Sequence, residues 1–204
     1  MAEAGESSQA VISDGELVRR SKEGDKSAFD ALMQRYEREV ITVAYRMLGQ
    51  YEDAVELAQD AFCRAYRALP GFREEAAFRT WLYRITLNLV LHRRRWYARH
   101  RVSQTVSLDE SADPAGDEDP MGQRIADPAP GPREEAVRSE LRAKISAALE
   151  QLPALFRMVV VLRDVKGLSY EEIAGICGER VGTVKSRLHR APAMLRERLG
   201  GRLK

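Results

Sequence analysis

The chain has 204 residues, 31% of them charged, yet a formal net charge of only +2. That length accommodates one large domain or two small ones, and so even a balance excludes a uniformly basic nucleic-acid binder, leaving the distribution of charge to carry any such signal. The N-terminus, MAEAGESSQAV, lacks a basic and an apolar region, and the longest strongly apolar run is Met158–Leu162. The expectation is therefore no signal peptide, no membrane span and a cytoplasmic protein.

Strand signals are almost absent, and apolar residues recur at helical spacing, which predicts an all-α fold. Asp14–Ser21 reads as a short helix with Leu17 and Val18 inward. Asp25–Leu48 reads as a long one, with Phe29, Leu32, Met33, Tyr36, Val40, Val43, Ala44 and Met47 on its apolar stripe and Gly49 ending it. Asp53–Leu69 follows, with Val55, Ala58, Phe62 and Ala65 in step, closed by Pro70-Gly71. A fourth helix runs from Ala76 to about Arg99, with a break expected near Asn88. Ser103–Pro132 then holds five prolines and seven acidic residues against one Arg, the composition of a flexible acidic linker. Helix resumes over Arg133–Leu149 and again over Pro153–Val165. The layout is two small helical domains, 1–102 and 133–204, joined by the linker 103–132.

Residues 167–191, GLSYEEIAGICGERVGTVKSRLHRA, spell two helices and a tight turn. Ser169 and Glu172 have capping-box spacing. Ile173, Ala174 and Cys177 form an inner face, Gly178 suits a turn at positive φ, and Val184 and Leu188 point inward. Thr183 is placed to cap or open the second helix. Ala174, Gly178 and Val184 have the spacing of a DNA-binding helix-turn-helix, whose outward side chains would be Lys185, Ser186, His189 and Arg190, donors suited to phosphates and base edges. A plain αα-hairpin accounts for the same pattern.

His92–Arg101, HRRRWYARHR, has five arginines, two histidines, two aromatic residues and no acid. Such a run is commonly a solvated face, but the interleaved Trp96 and Tyr97 are the pairing that grips single-stranded or distorted DNA. Lys185–Lys204 is also basic, with seven Lys or Arg and one Glu. On the third helix Asp53, Glu56, Gln59 and Asp60 form an acidic outward face, read from the residues alone as solvated. Cys63 and Cys177 are read as small buried hydrophobes in a reducing compartment. The three histidines have no metal-site spacing, and no phosphate loop, nucleophile elbow or paired catalytic carboxylates occur, so no catalytic residue, metal, cofactor or small-molecule substrate is expected. Two readings stay open beside a two-module DNA binder: an ordinary dimeric helix-turn-helix regulator, and a nuclease, which would need an acidic metal cluster.

Five stretches in order carry a resemblance: GDKSAFDALMQRY, EDAVELAQDAFCRAYRAL, FRTWLYRITLNLV, LPALFRMVVVLRDVKGLSYEEIAGI and VGTVKSRLHRA. Over about 13–102 and 134–199 the chain resembles the bacterial RNA polymerase sigma factors of the extracytoplasmic-function group, which have only the second and fourth conserved regions. The resemblance implies region 2 over 1–102 and region 4 over 133–204, with core RNA polymerase and promoter DNA as partners. It also implies an anti-sigma factor, which could hold the protein at the membrane. Asp53, Glu56, Gln59 and Asp60 would dock on polymerase. Asn88 would receive a flipped base of the −10 element, with Phe72, Trp81 and Trp96 in the melting module and Arg93, Arg94 and Arg95 on the backbone beside it. Lys185, Ser186, His189 and Arg190 would read the −35 element. The acidic linker looks like the segment that threads toward the polymerase active centre. Arg180 departs from the Pro common at the start of the recognition helix, and Pro192 is expected to kink the last helix.

Overall fold

Local signals start and stop the first helices of the computed structural model, which describes residues 12–73, 76–101, 144 and 146–200. The Ser13 hydroxyl accepts the Glu16 N–H (3.3 Å) and caps α1 (Asp14–Lys22). The Asp25 carboxylate accepts the Ala28 N–H (3.3 Å) and caps α2 (Lys26–Leu48). Gly49, at φ 85°, ends α2 with its N–H on the Tyr45 carbonyl (2.8 Å). Next come α3 (Tyr51–Ala68), a 3-10 turn at Leu69–Gly71 and α4 (Phe78–Arg101). The second half contributes a helical stretch α5 (146–151), α6 (Ala154–Val160) and a π turn at Val161–Val165. It ends with α7 (Tyr170–Cys177) and α8 (Val181–Gly200).

Helix α2 is the centre of the first half and packs against α1, α3 and α4. Leu32, Val40, Val43 and Met47 are completely buried along it. Its neighbour α3 presents Ala54, Ala58, Ala61 and Ala65, spaced i, i+4, i+7, i+11, so small side chains let the two backbones approach closely. Of the stripe expected on sequence, Ala58, Phe62 and Ala65 are buried, and the buried face is wider than that stripe. Ala54, Leu57 and Ala61 share the core, and Val55 is only half-buried.

The two halves meet through one continuous apolar core. Met158, Val159, Val161, Leu162, Leu168, Ile173 and Val184 join the same cluster as Leu32, Val43, Leu82 and Val90. Helix α7 lies on α4, while α6 and the π turn lie on α2. Polar bonds mark the seam. Arg46 Nη1 donates to Ser146 Oγ (3.0 Å) and Arg79 Nη2 to the Lys166 carbonyl (3.1 Å). Arg94 and Arg157 both donate to the Met47 carbonyl, each at 2.8 Å. Arg157 is 1% exposed. Burial first and Arg94 second push its guanidinium down to about 10, against the pull of Glu150, so it is a charged group at neutral pH. The Glu150 carboxylate also occupies the space a Cβ at Gly49 would need, a second reason for glycine there.

Several expectations need correction. Helix α4 runs unbroken through Asn88, because nothing between Phe78 and Arg101 is a glycine or proline. Helix α8 starts at Val181, placing Thr183 in its first turn rather than at the cap. Pro192 lies inside α8, where it leaves one backbone donor missing as expected, and around it Ala191, Met194 and Leu195 pack against Leu149, Leu152 and Val160. Met33 is 36% exposed and Cys63 is exposed, because both flank a groove on the outer side of α2 and α3. Only Cys177 is shielded, its thiol raised to about 11 by burial. Most of the helix expected over Arg133–Leu149, and all of the linker, lie outside the described residues.

Two measurements check this packing. Ser169 Oγ accepts the Glu172 N–H (3.1 Å) and Glu172 Oε2 accepts the Ser169 N–H (2.8 Å), so the capping box is formed. Ser169→Ala is expected to lower unfolding stability in urea by about 1 kcal/mol; an unchanged midpoint would contradict the cap. Tyr83 is fully buried and donates to the Glu39 carboxylate, beside Arg79. Burial first, and Glu39 second, raise its phenol well above the ordinary value. The folded state therefore holds this proton after the unfolded chain has lost it. The contribution is complete below pH about 10, the unfolded phenol value, and declines above it. Tyr83→Phe should cost about 1 kcal/mol near pH 8, and the gap to the native chain should close as pH rises past 10.

Candidate nucleic-acid interface and partner surface

The turn between α7 and α8 is held by three features. Gly178 sits at φ 67°, where a side chain would be strained. Ala174 and Val184 are buried on the facing sides of the two helices. Arg187 reaches back to Glu179 Oε1 (2.8 Å) and fixes the first turns of α8 against the loop. Lys185, Ser186, His189 and Arg190 are all exposed, at i, i+1, i+4 and i+5 of α8. Lys185 Nζ rests 5.6 Å from the Tyr170 ring centroid, which steadies the long side chain at the edge of this face. The face is thus a row of donors with the helix-turn-helix buried behind it.

On α4 the sequence-selected residues divide. Asn88 is exposed. Arg93 instead turns toward α3, with Nη1 3.4 Å from Asp53 Oδ1 and 3.2 Å from Glu56 Oε2. Tyr97 donates to Asp53 Oδ2 (2.7 Å). Arg94 is spent on the Met47 carbonyl. Two groups of residues assigned to different partners, Arg93 and Asp53 with Glu56, therefore form one network inside the chain. The Arg93 hydrogen bond holds the Glu56 carboxyl below its usual range. Arg95 and Trp96 remain exposed, and the Trp96 ring stacks on His100 at 4.1 Å.

Phe72 is buried, packed on Trp81 (4.7 Å between centroids) and Phe78 (6.2 Å). Lys22 Nζ donates to its carbonyl (2.6 Å). Trp81 is half-buried at the edge of this aromatic cluster. These rings anchor the approach to α4, and Trp81 is the more accessible of the two.

On α3, Glu56, Gln59 and Asp60 are exposed, and Asp53 is half-buried by its bonds to Arg93 and Tyr97. Beside them opens an apolar groove of about 640 Å³ between α2 and α3, lined by Phe29, Met33, Ile41, Val55, Phe62 and Tyr66, with Gln59 at its edge. Sequence reasoning missed it because Met33 and Val55 read as core. The available signal was the width of the α2 stripe, broader than one neighbour can cover. Among the described residues, no three His, Cys, Asp or Glu side chains come together to hold a metal ion, and no helix is long and apolar enough to cross a membrane.

Comparison with known proteins agrees with this arrangement. Residues 32–100 match the model of sigma-70 region 2, and residues 142–195 match that of sigma-70 region 4. The RNA polymerase sigma-H factor of Pseudomonas aeruginosa is 36% identical, over 87% of this chain and 89% of its own length. The ECF RNA polymerase sigma-E factor of Escherichia coli K12 is 37% identical, over 88% and 91%. Among solved structures, CnrH in complex with the cytosolic domain of CnrY is 27% identical, with a TM-score of 0.65 over 92% of this chain and 97% of that one. The sigma factor RpoE of Bartonella quintana, solved with the anti-sigma factor NepR, is 24% identical with a TM-score of 0.62 over 84% and 96%, a likeness of fold. Two region models in order, and relatives at this identity over most of their length, place the chain in a family: it belongs to the sigma-70 factors, in the extracytoplasmic-function group, which direct promoter-specific transcription initiation.

Proposed function

We propose that this chain is a cytoplasmic initiation factor without a reaction of its own, which brings core RNA polymerase to promoters and reads two DNA elements. The observation that carries this reading is the coexistence of two exposed donor surfaces in one chain: the α8 face of Lys185, Ser186, His189 and Arg190, and α4 around Asn88. The first would enter the major groove of the −35 element. The second would take an unstacked base of the −10 element, with Trp81 and Trp96 beside it. Domains 1–102 and 133–204 would serve as the two modules. Glu56, Gln59 and Asp60, with the adjoining groove, would dock the polymerase, and Asp53 would support that face through Arg93.

A distance argument gives the reading a mechanism. Elements centred at −35 and −10 lie about 25 base pairs apart, roughly 85 Å at about 3.4 Å per step. A packed globule of this size is only about 40 Å across. The seam between the halves would therefore open when both elements are engaged, and the tether 103–132, about 100 Å when extended, is long enough to allow it. A partner protein that grips the packed halves would keep the factor silent. CnrH, which shares this fold, is solved in complex with the cytosolic domain of CnrY, and that complex supports a protein partner for this chain.

Run-off transcription with core polymerase on a promoter library tests the reading, with activity and both elements as the expected outcome. Asp60→Lys should abolish co-purification with core polymerase while leaving the fold intact by circular dichroism. Arg190→Ala should keep co-purification and lose about 1–3 kcal/mol of −35 discrimination, roughly 5- to 150-fold. A free chain that binds duplex promoter DNA tightly and specifically, as a dimer, would instead identify an ordinary helix-turn-helix regulator.

A further inference from the structure

A second pocket, of about 590 Å³, opens where the two halves meet. Helix α4 brings Arg94, Trp96, Tyr97 and His100 to it, while α5 and α6 bring Glu150 and Arg157. Its volume lies in the range of small-molecule sites, about 300–1,000 Å³. Apart from Trp96, none of these residues serves the two DNA-reading surfaces.

The cations of this pocket keep donors that the fold leaves unspent. A guanidinium has five N–H donors. Among the described residues, Arg94 and Arg157 each donate once, both to the Met47 carbonyl. Arg157 is 1% exposed, and its buried Nε has no partner among the described residues. Charge is unspent as well. Asp53, which also lines the pocket, already takes Arg93 and Tyr97 on its two oxygens. Glu150 is thus left alone against two guanidiniums, and burial pushes both of these below their ordinary value. A buried cation short of acceptors carries a desolvation penalty that an entering anion would relieve. Next to Arg94 along α4, the Trp96 ring stacks on His100 (4.1 Å between centroids) and is itself exposed, so a planar ring could extend the stack.

We propose that this pocket binds a small organic anion with a planar ring, its carboxylate or phosphate on Arg94 and Arg157 and its ring against Trp96. The lining comes from both halves, so the ligand fits only the packed chain. A ligand shifts a two-state equilibrium by its differential affinity for the two states, and this one would hold the seam shut. It would also occupy Trp96. The ligand is therefore an inhibitor of initiation. That effect rests on the reading of this chain as a two-element initiation factor; the binding itself does not.

The test starts with the full chain alone. Trp81→Phe leaves Trp96 as its one tryptophan, so tryptophan emission reports the site. Adenosine monophosphate and benzoate probe the two sources of such a ligand, a nucleotide and an aromatic acid. Adenosine and inorganic phosphate supply the ring and the anion separately. Saturable quenching is expected from one or both of the first pair, and weaker binding from each of the second. Arg94→Gln should weaken the probe that binds by about 10-fold or more, the loss of a charge-assisted hydrogen bond. Glu150→Gln, at an exposed position, should tighten it by about 2- to 5-fold, because a competing carboxylate is removed. The second variant decides the matter if the first does not fold by circular dichroism. In run-off transcription with core polymerase and chains that keep Trp81, the same probe should inhibit Arg94→Gln least and Glu150→Gln most. Absence of saturable quenching by both ring-bearing anions, or quenching indifferent to both variants, would overturn the site. Equal inhibition of all three chains would overturn its hold on the seam. Native holoenzyme that gives no promoter-specific transcript before any probe is added would overturn the initiation-factor reading and leave the binding result standing.

Discussion

The carbonyl of Met47 holds this molecule together at its most demanding point. A helix ends with carbonyls that have no partners of their own, and here α2 ends inside the protein, at the seam between two halves. Arg94 from α4 and Arg157 from α6 both donate to that oxygen. Two cations at the negative end of a helix dipole are electrostatically well placed, and Glu150 adds a compensating charge. The arrangement still carries a desolvation penalty, seen in the lowered Arg157 guanidinium, whose Nε finds no partner among the described residues. Buried charges of this kind are weak contributors to net stability but costly to strip of their partners. The seam is thus specific in geometry without being strongly favourable, a combination that suits the opening proposed on promoter DNA.

Helix α4 owes its dual role to the same constraint. One side meets α2, α3 and α7 through Leu82, Tyr83, Val90, Arg93 and Arg94, while the opposite side is left bare with Asn88 at its centre. The Arg93–Asp53–Tyr97 network also couples this helix to the outer face of α3. A partner seated on α3 would therefore press on the residues that orient the DNA-facing helix. Under the proposed reading, polymerase docking on α3 and DNA binding on α4 would share a mechanical connection inside region 2.

Local signals made much of this legible in the sequence. The capping box of Ser169 and Glu172, the positive φ of Gly178 and the bare donors of α8 all follow from residues a few positions apart, so the helix-turn-helix could be read almost completely. Phase was harder. Alanines dominate the buried face of α3 and carry little hydrophobic weight, so Ala54 and Ala61 went unread while Val55, which borders a groove, read as core. The run HRRRWYARHR could be recognised as basic but not divided, because the inward turn of Arg93 and Arg94 depends on acids and a carbonyl 37 to 47 residues away. The seam itself was illegible, since its two sides are separated by the acidic tether and nothing local announces them.

The central claim is that one chain packs its two DNA-reading halves together and parts them on the promoter. Dyes placed on exposed positions of each half, through Glu23→Cys and Glu197→Cys in a Cys63→Ser background, report that distance by resonance energy transfer. The account predicts high transfer in the free chain, as expected within a globule about 40 Å across. It predicts a large fall once holoenzyme occupies promoter DNA. Transfer that stays high in a transcriptionally competent promoter complex would contradict it.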